Sequence, residues 1–250
     1  MDTKFWGPSG WKFLHLITFS NAIESKSAVR CFFETLPYVL PCKFCRQSLS
    51  EYVKKIPLDT EAPAKWLWKI HNCVNGKLRS QNLNSEPDPP FSVVKRLYTD
   101  KFAAGCTKTT FDGWDFLFSV ADLHPMSATA RKSVPMPGAP LCDTMRSDEE
   151  KNKWNCLTPK ERIPYYRRFW VALGPSLPFK EWRTFWANKK TQTKQLLWKT
   201  RCAMETKLYL LNRCKYSSLC KTLKLHRSGC NKSKRARTCR KEKRKNIQQR

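Results

Sequence analysis

The most reactive pattern in the chain is Pro41-Cys42-Lys43-Phe44-Cys45, two thiols three positions apart at the start of an amphipathic run. Cysteines at this spacing can close a small disulfide, and the partial positive charge of a helix N-terminus favours the thiolate over the thiol. Lys43 and Arg46 act in the same direction. A thiolate held there attacks a disulfide or hands electrons to a bound acceptor near neutral pH. The same pair is also half of a zinc site, which needs two further ligands.

A second group, His71-Asn72-Cys73-Val74-Asn75, falls inside a helical run, where Trp68, His71 and Asn75 share one face by spacings of three and four. Asparagine is a weak helix former. Two of them in one turn, beside Trp and His, suit a planar hydrogen-bonding ligand laid against the helix; the alternative is a solvated polar face. Trp11 and His15 form a similar pair on the first helix, where a single buried histidine can equally be an ordinary core residue.

Helices must position these groups. One helix, with Pro8 in its first turn, carries Trp11, Leu14, His15 and Phe19 on one side. Others are predicted over about 27–38, from 41 to the break at Pro57, and over about 62–78, with a short fifth over 91–102. No two-residue alternation marks a strand, so the fold class is all-α: a bundle of four helices plus a short fifth over residues 1–105. Residues 109–198 read as a second small helical domain, with Tyr165, Tyr166, Phe169, Trp170 and Phe179, Trp182, Phe185, Trp186 at helical spacing as core. Cys31 and Cys73 fall on apolar faces and read as packing residues.

The 250 residues carry a formal charge of +28, of which +16 belongs to residues 199–250. That segment is expected to be a basic, largely disordered, cysteine-containing tail. Its lysine and arginine clusters allow contact with phosphate or nucleic acid, but the last thirty or so residues have no aromatic residue for base stacking. The first residues lack a charged region followed by an apolar one, so no signal peptide is expected. No stretch is apolar for long enough to span a membrane. Twelve cysteines in such a chain point to metal binding or redox chemistry rather than a disulfide framework.

Taken in order, Trp6-Gly7-Pro8-Ser9-Gly10-Trp11 through His15, Leu40-Pro41-Cys42-Lys43-Phe44-Cys45, Tyr52 with Pro57-Leu58, and His71-Asn72-Cys73-Val74-Asn75-Gly76-Lys77-Leu78 resemble the Erv/ALR family of FAD-dependent sulfhydryl oxidases. The resemblance covers roughly residues 5–103, and the Trp-Gly-Pro opening is similar to the branch encoded by large DNA viruses. It implies an FAD-binding helical bundle with Cys45 against the flavin and Cys42 exchanging with incoming thiols. Trp11, His15, His71, Asn72 and Asn75 would clamp the cofactor, with Lys77 near its phosphates. The implied reaction oxidises two protein thiols to a disulfide and reduces oxygen to hydrogen peroxide. Viral structural proteins are among the clients it suggests, and a homodimer is the family's usual state. A host cytoplasm with its viral factory, or the virion, is the implied location.

The family's second, shuttle disulfide has two candidate pairs here, Cys214 with Cys220 and Cys230 with Cys239, the alternative being incidental thiols. The competing function is a zinc-binding interaction protein without catalysis, using Cys42, Cys45, His71 and Cys73. It sets Cys73 about 200° around the helix from His71.

Overall fold

Every regular element among the described residues is helical, in line with the spacing of the apolar positions. The structure is a computed structural model that describes residues 1–20, 26–83, 86–127, 134–186, 193–210 and 214–227. The N-terminal part holds α1 (Thr3–Thr18), α2 (Lys26–Val39), α3 (Lys43–Lys55), α4 (Pro63–Ser80) and α5 (Phe91–Ala104). After it come α6 (Trp114–Asp122), α7 (Asp148–Lys153), α8 (Pro159–Ser176), the single turn α9 (Lys180–Arg183), α10 (Lys194–Lys207) and α11 (Tyr216–Arg227).

Local chemistry fixes the helix starts. Asp2 caps α1 by accepting the Lys4 backbone N–H at 3.0 Å, so the helix begins five residues before Pro8 and the proline lies inside it, not in its first turn. Pro41 precedes Cys42, which is extended (φ −139°, ψ 125°) and serves as the N-cap of α3. Before α4, the Asp59 carboxylate accepts the N–H groups of Glu61 and Ala62, both at 3.0 Å, and Pro63 opens the helix. Thr158 and Glu161 form a reciprocal capping box on α8.

Apolar packing continues across the expected boundary near residues 105–109. The buried stripe of α8 has its main partner on α2, so one apolar core runs from Met1 to Leu223. Phe32 stacks on Phe169 at 4.9 Å between ring centroids, and Tyr38 lies flat on Tyr165 at 3.7 Å. On the other side α6 packs on α1, where a Cβ at Gly10 would stand 3.4 Å from the Phe116 ring. Phe111, Trp114, Trp182 and Trp186 form an aromatic cluster beneath, as the helical spacing of the tryptophans predicts. Cys31 and Cys73 are half-buried, not sealed in the core as their positions suggested.

Helical structure continues into the basic segment that starts at position 199. Helix α10 crosses position 199, and α11 buries Leu219 and Leu223. The reason is electrostatic as well as apolar. Asp122 is fully buried, accepts from the Arg227 guanidinium, and meets Lys194 Nζ at 2.6 Å. The end of α11 then joins the start of α1: the Asp2 N–H donates to the His226 carbonyl at 3.0 Å, and the Phe5 ring stacks on His226 at 4.4 Å. Cys230 and Cys239 lie outside the described residues.

A disulfide joins Cys142 to Cys156 with 5.6 Å between their Cα atoms, tying a 3-10 turn to the segment after α7. No described helix is long and apolar enough to cross a membrane.

Candidate active site

The dithiol is set by the first turn of α3, whose opening bond runs from the Arg46 N–H to the Cys42 carbonyl at 3.0 Å. Cys42 is 4% exposed and Cys45 half-exposed. The Arg46 guanidinium folds back under this turn and donates to the Leu40 carbonyl at 2.7 Å and to Asn155 Oδ1 at 2.6 Å. Burial pushes Arg46 below its ordinary value, while Tyr166, Cys42 and Cys45 pull the other way when charged. The next carbonyl of the loop, that of Pro41, accepts from the Met1 ammonium at 3.0 Å.

The aromatic and imidazole residues gather where α1 meets α4. Trp11 stacks on His71 at 3.8 Å between centroids with 10° between planes. His15 Nε2 is 3.1 Å from His71 Nδ1, and the His15 ring stacks on Tyr98 of α5 at 5.5 Å. His15 Nδ1 is buried with no hydrogen-bond partner. Along α4 every residue from His71 to Arg79 is half-exposed, Val74 and Leu78 included, although the helix buries Trp66, Leu67 and Ile70 just before.

The predicted residues of α4 divide between its faces. His71 and Asn75 look toward α1 and the approach to α5, where Asn75 Nδ2 donates to Asp88 at 2.8 Å and Arg79 grips the same carboxylate. Lys77 points to α3, donating to the buried Ser48 hydroxyl at 2.6 Å. Trp68, grouped with His71 by spacing, donates to the Pro89 carbonyl at 2.9 Å and packs edge-on to Phe91, so it anchors the α4–α5 connection. Asn72 is half-buried on α4. Sequence reasoning missed Ser48, Tyr98, Asp88 and Asn155, which are brought in by packing and leave no local pattern. It also missed the Cys142–Cys156 pair, for which the presence of two cysteines around one short helix was the available signal.

Burial, then the charge of His71, takes His15 down to about 3, and burial takes His71 to about 4 against an upward pull from Asp88. Both rings are therefore neutral at pH 7, and one donates to the other. Above the unfolded value, about 6.5, neither state binds a proton and the rings incur no penalty. Below it the unfolded chain binds protons that the folded one refuses, so stability falls by about 1.4 kcal/mol per pH unit for each ring. Urea unfolding at pH 7.5 and pH 5 is expected to differ by roughly 2–4 kcal/mol, the half-buried His71 contributing less than His15. Equal stabilities at the two pH values would remove the neutral imidazole pair.

The zinc alternative required Cys42, Cys45, His71 and Cys73 to converge. Among the described residues no group of three or more His, Cys, Asp or Glu is arranged to hold a metal ion. Cys73 instead faces α3, close enough to Tyr52 for its charge to help raise that phenol above its usual value, after burial.

A dithiol at a helix N-terminus, backed by a guanidinium and built into a helical core with a Trp–His–His cluster, defines an all-α protein equipped for thiol–disulfide exchange. Comparison with known proteins places it more closely. The sequence profile of the Erv1 / Alr family matches residues 8–97. A protein of invertebrate iridescent virus 6 named as an FAD-linked sulfhydryl oxidase is 33% identical over 110 residues, covering 38% of this chain and 94% of that protein. One of Acanthamoeba polyphaga mimivirus with the same designation is 35% identical over 85 residues, covering 30% of this chain and 59% of that protein. The mitochondrial FAD-linked sulfhydryl oxidase of Saccharomyces cerevisiae is 26% identical over 85 residues, 31% of this chain and 45% of the yeast protein. The chain belongs to the Erv1 / Alr family. No solved structure matches it significantly.

Proposed function

We propose that the chain is an FAD-linked sulfhydryl oxidase that makes disulfides in protein thiols. The observation that carries this reading is the Cys42–Cys45 dithiol at the start of α3 beside an Arg46 guanidinium, in a chain whose relatives bear that name. The donor set fits FAD. His15 Nδ1 is a buried polar atom in want of a partner, Trp11 and His71 offer flat aromatic surface, and α4 keeps a half-exposed face with Asn72 and Asn75 on it. Trp11, His15, His71, Asn72 and Asn75 would hold the cofactor's rings. Lys77 would reach its phosphates by exchanging its bond to Ser48, and Asn75 would give up part of its bond to Asp88.

In the proposed reaction a client thiolate attacks Cys42 of the closed disulfide, and Cys45 leaves as the thiolate favoured by the helix N-terminus. A second client thiol attacks the mixed disulfide, releasing the client disulfide and leaving both chain cysteines reduced. FAD, when held by these residues, would supply the redox chemistry by which the Cys42–Cys45 disulfide re-forms and oxygen is reduced to hydrogen peroxide. Cys42, at 4% exposure, must become accessible for the first attack, which makes opening of the Leu40–Cys42 loop part of client entry.

Partners follow from the same reading: protein thiols, viral structural proteins among them, a second copy of the chain, and phosphate-bearing surfaces for the basic segment. Val93 and Leu97, exposed on α5, are available to a second copy. The viral relatives support a place in the infected host's cytoplasm or in the virion. The proposed shuttle pair Cys214–Cys220 lies at and in α11, both half-buried.

The test is spectroscopic. Purified protein is expected to show flavin absorbance that bleaches with dithiothreitol while oxygen is consumed. Colourless protein carrying one zinc ion per chain would overturn the proposal.

A further inference from the structure

One guanidinium, Arg46, lies beside the dithiol and a second, Arg162, meets it at a shared acceptor; among the described residues neither forms an ion pair within 4.0 Å of a carboxylate. Arg46 has its Nε buried without a hydrogen-bond partner. Arg162, from α8, is 6% exposed and donates to the Tyr38 carbonyl at 3.1 Å and to Asn152 Oδ1 at 2.8 Å. The two share one acceptor, Asn155 Oδ1, at 2.6 Å from Arg46 and 3.3 Å from Arg162. A neutral amide joining two cations compensates neither, and Glu161 acts only on Arg162, so an anion near Arg46 would be favourable in this low-dielectric setting.

The amide itself is firmly held. Asn155 Nδ2 donates to the Val134 carbonyl at 2.7 Å, so Oδ1 must face the arginines. Its backbone sits at φ 58°, a conformation asparagine tolerates better than most residues. Asn152, fully buried, fastens the same turn to the bundle by donating to the Pro37 carbonyl at 3.0 Å and Ser50 Oγ at 3.1 Å.

We propose that Asn155 is a positioning residue of the dithiol centre, holding Arg46 between itself and the Leu40 carbonyl as the counter-charge of the Cys42–Cys45 thiolate. The segment from Asn152 to Arg162, beyond the residues the family profile covers, thereby becomes a working part of the site and not an appendage. This rests on the proposed redox role of the dithiol. The electrostatic setting agrees: burial, then Arg46, brings Arg162 down to about 9, the direction in which a nearby anion is welcome. The other groups around the pair are Lys43 on α3, the Met1 ammonium on the Pro41 carbonyl, Tyr38 on α2, Tyr166 on α8, whose hydroxyl donates to the Val39 carbonyl at 3.4 Å, and Glu161 on α8, which pulls Arg162 upward but is engaged by Lys151 and the Thr158 cap.

Alkylation of the fully reduced full-length chain by iodoacetamide, followed residue by residue by mass spectrometry from pH 5 to 9, reads thiol ionisation directly. Asn155→Asp keeps the acceptor but adds a carboxylate that replaces the thiolate as partner of Arg46 and Arg162. It is expected to raise the thiol pKa by about one unit, cutting alkylation at pH 7 roughly tenfold. Asn155→Gly accommodates the positive φ and removes the acceptor, so it should shift the profile the same way by a smaller factor; if the Asp variant fails to fold, it carries the test alone. Wild-type profiles in the folded variants would overturn the positioning role. That outcome is separable from failure of the oxidase reading, because alkylation needs no turnover, whereas oxidase activity surviving Cys45→Ser would strike the reading itself.

Discussion

Cys45→Ser is expected to retain bound flavin and lose turnover by at least roughly a thousandfold. Serine matches the thiol in shape, so the half-exposed first turn of α3 keeps its packing. Its hydroxyl cannot close a disulfide with Cys42, and it is neither an effective nucleophile nor a leaving group in exchange at neutral pH. Oxygen consumption with dithiothreitol, alongside the visible spectrum, measures both halves of the expectation. A variant that consumes oxygen at the wild-type rate would show that electrons do not pass through Cys45.

The largest stability effect is expected at the seam between α2 and α8. Phe169 is fully buried and touches three helices' worth of aromatic surface: Phe32 on α2 at 4.9 Å, Phe116 on α6 at 6.3 Å, and Trp170 beside it at 5.0 Å. Removing the ring leaves a cavity that neighbouring rigid rings fill poorly, and Phe169→Ala should cost about 3–5 kcal/mol. That is a large part of the about 5–15 kcal/mol that holds a typical domain folded. Urea denaturation followed by tryptophan fluorescence gives the value. A loss under about 1 kcal/mol would mean that α8 is a loosely attached element, since surface substitutions fall in that range. A single cooperative transition in the wild type is the companion expectation, because the core is continuous across the seam.

The division between what could and could not be read from the chain follows sequence distance. The dithiol, the Trp11–His15 pair and the His71 helix were legible because each is a local pattern expressed at helical spacing. Helix α4 was foreseen within a residue or two at each end, since proline opens it and polar residues close it. Pro8 misled because a proline late in the second turn is less common than one at the start, and the Asp2 cap outweighs it. Asp122 and Arg227 are separated by 105 positions, and Arg46 and Asn155 by 109. Neither pair leaves a periodic trace, so α11 was counted with the basic tail and Asn155 with an accessory unit. The split between Asn75 and Lys77, two positions apart, was in principle available from helix geometry, but only packing tells which neighbour each face meets.

The junction of the two chain ends sets a distance. Adjacent residues carry the two bonds: the Met1 ammonium reaches the Pro41 carbonyl, and the Asp2 N–H reaches the His226 carbonyl, each at 3.0 Å. Pro41 and His226 are thus within about 10 Å of one another, the span of two hydrogen bonds and a single residue. The end of α11 is therefore held beside the dithiol loop. Release of the dithiol loop and fraying of the last turn of α11 are thereby linked, because two successive residues of one stretch of backbone hold both.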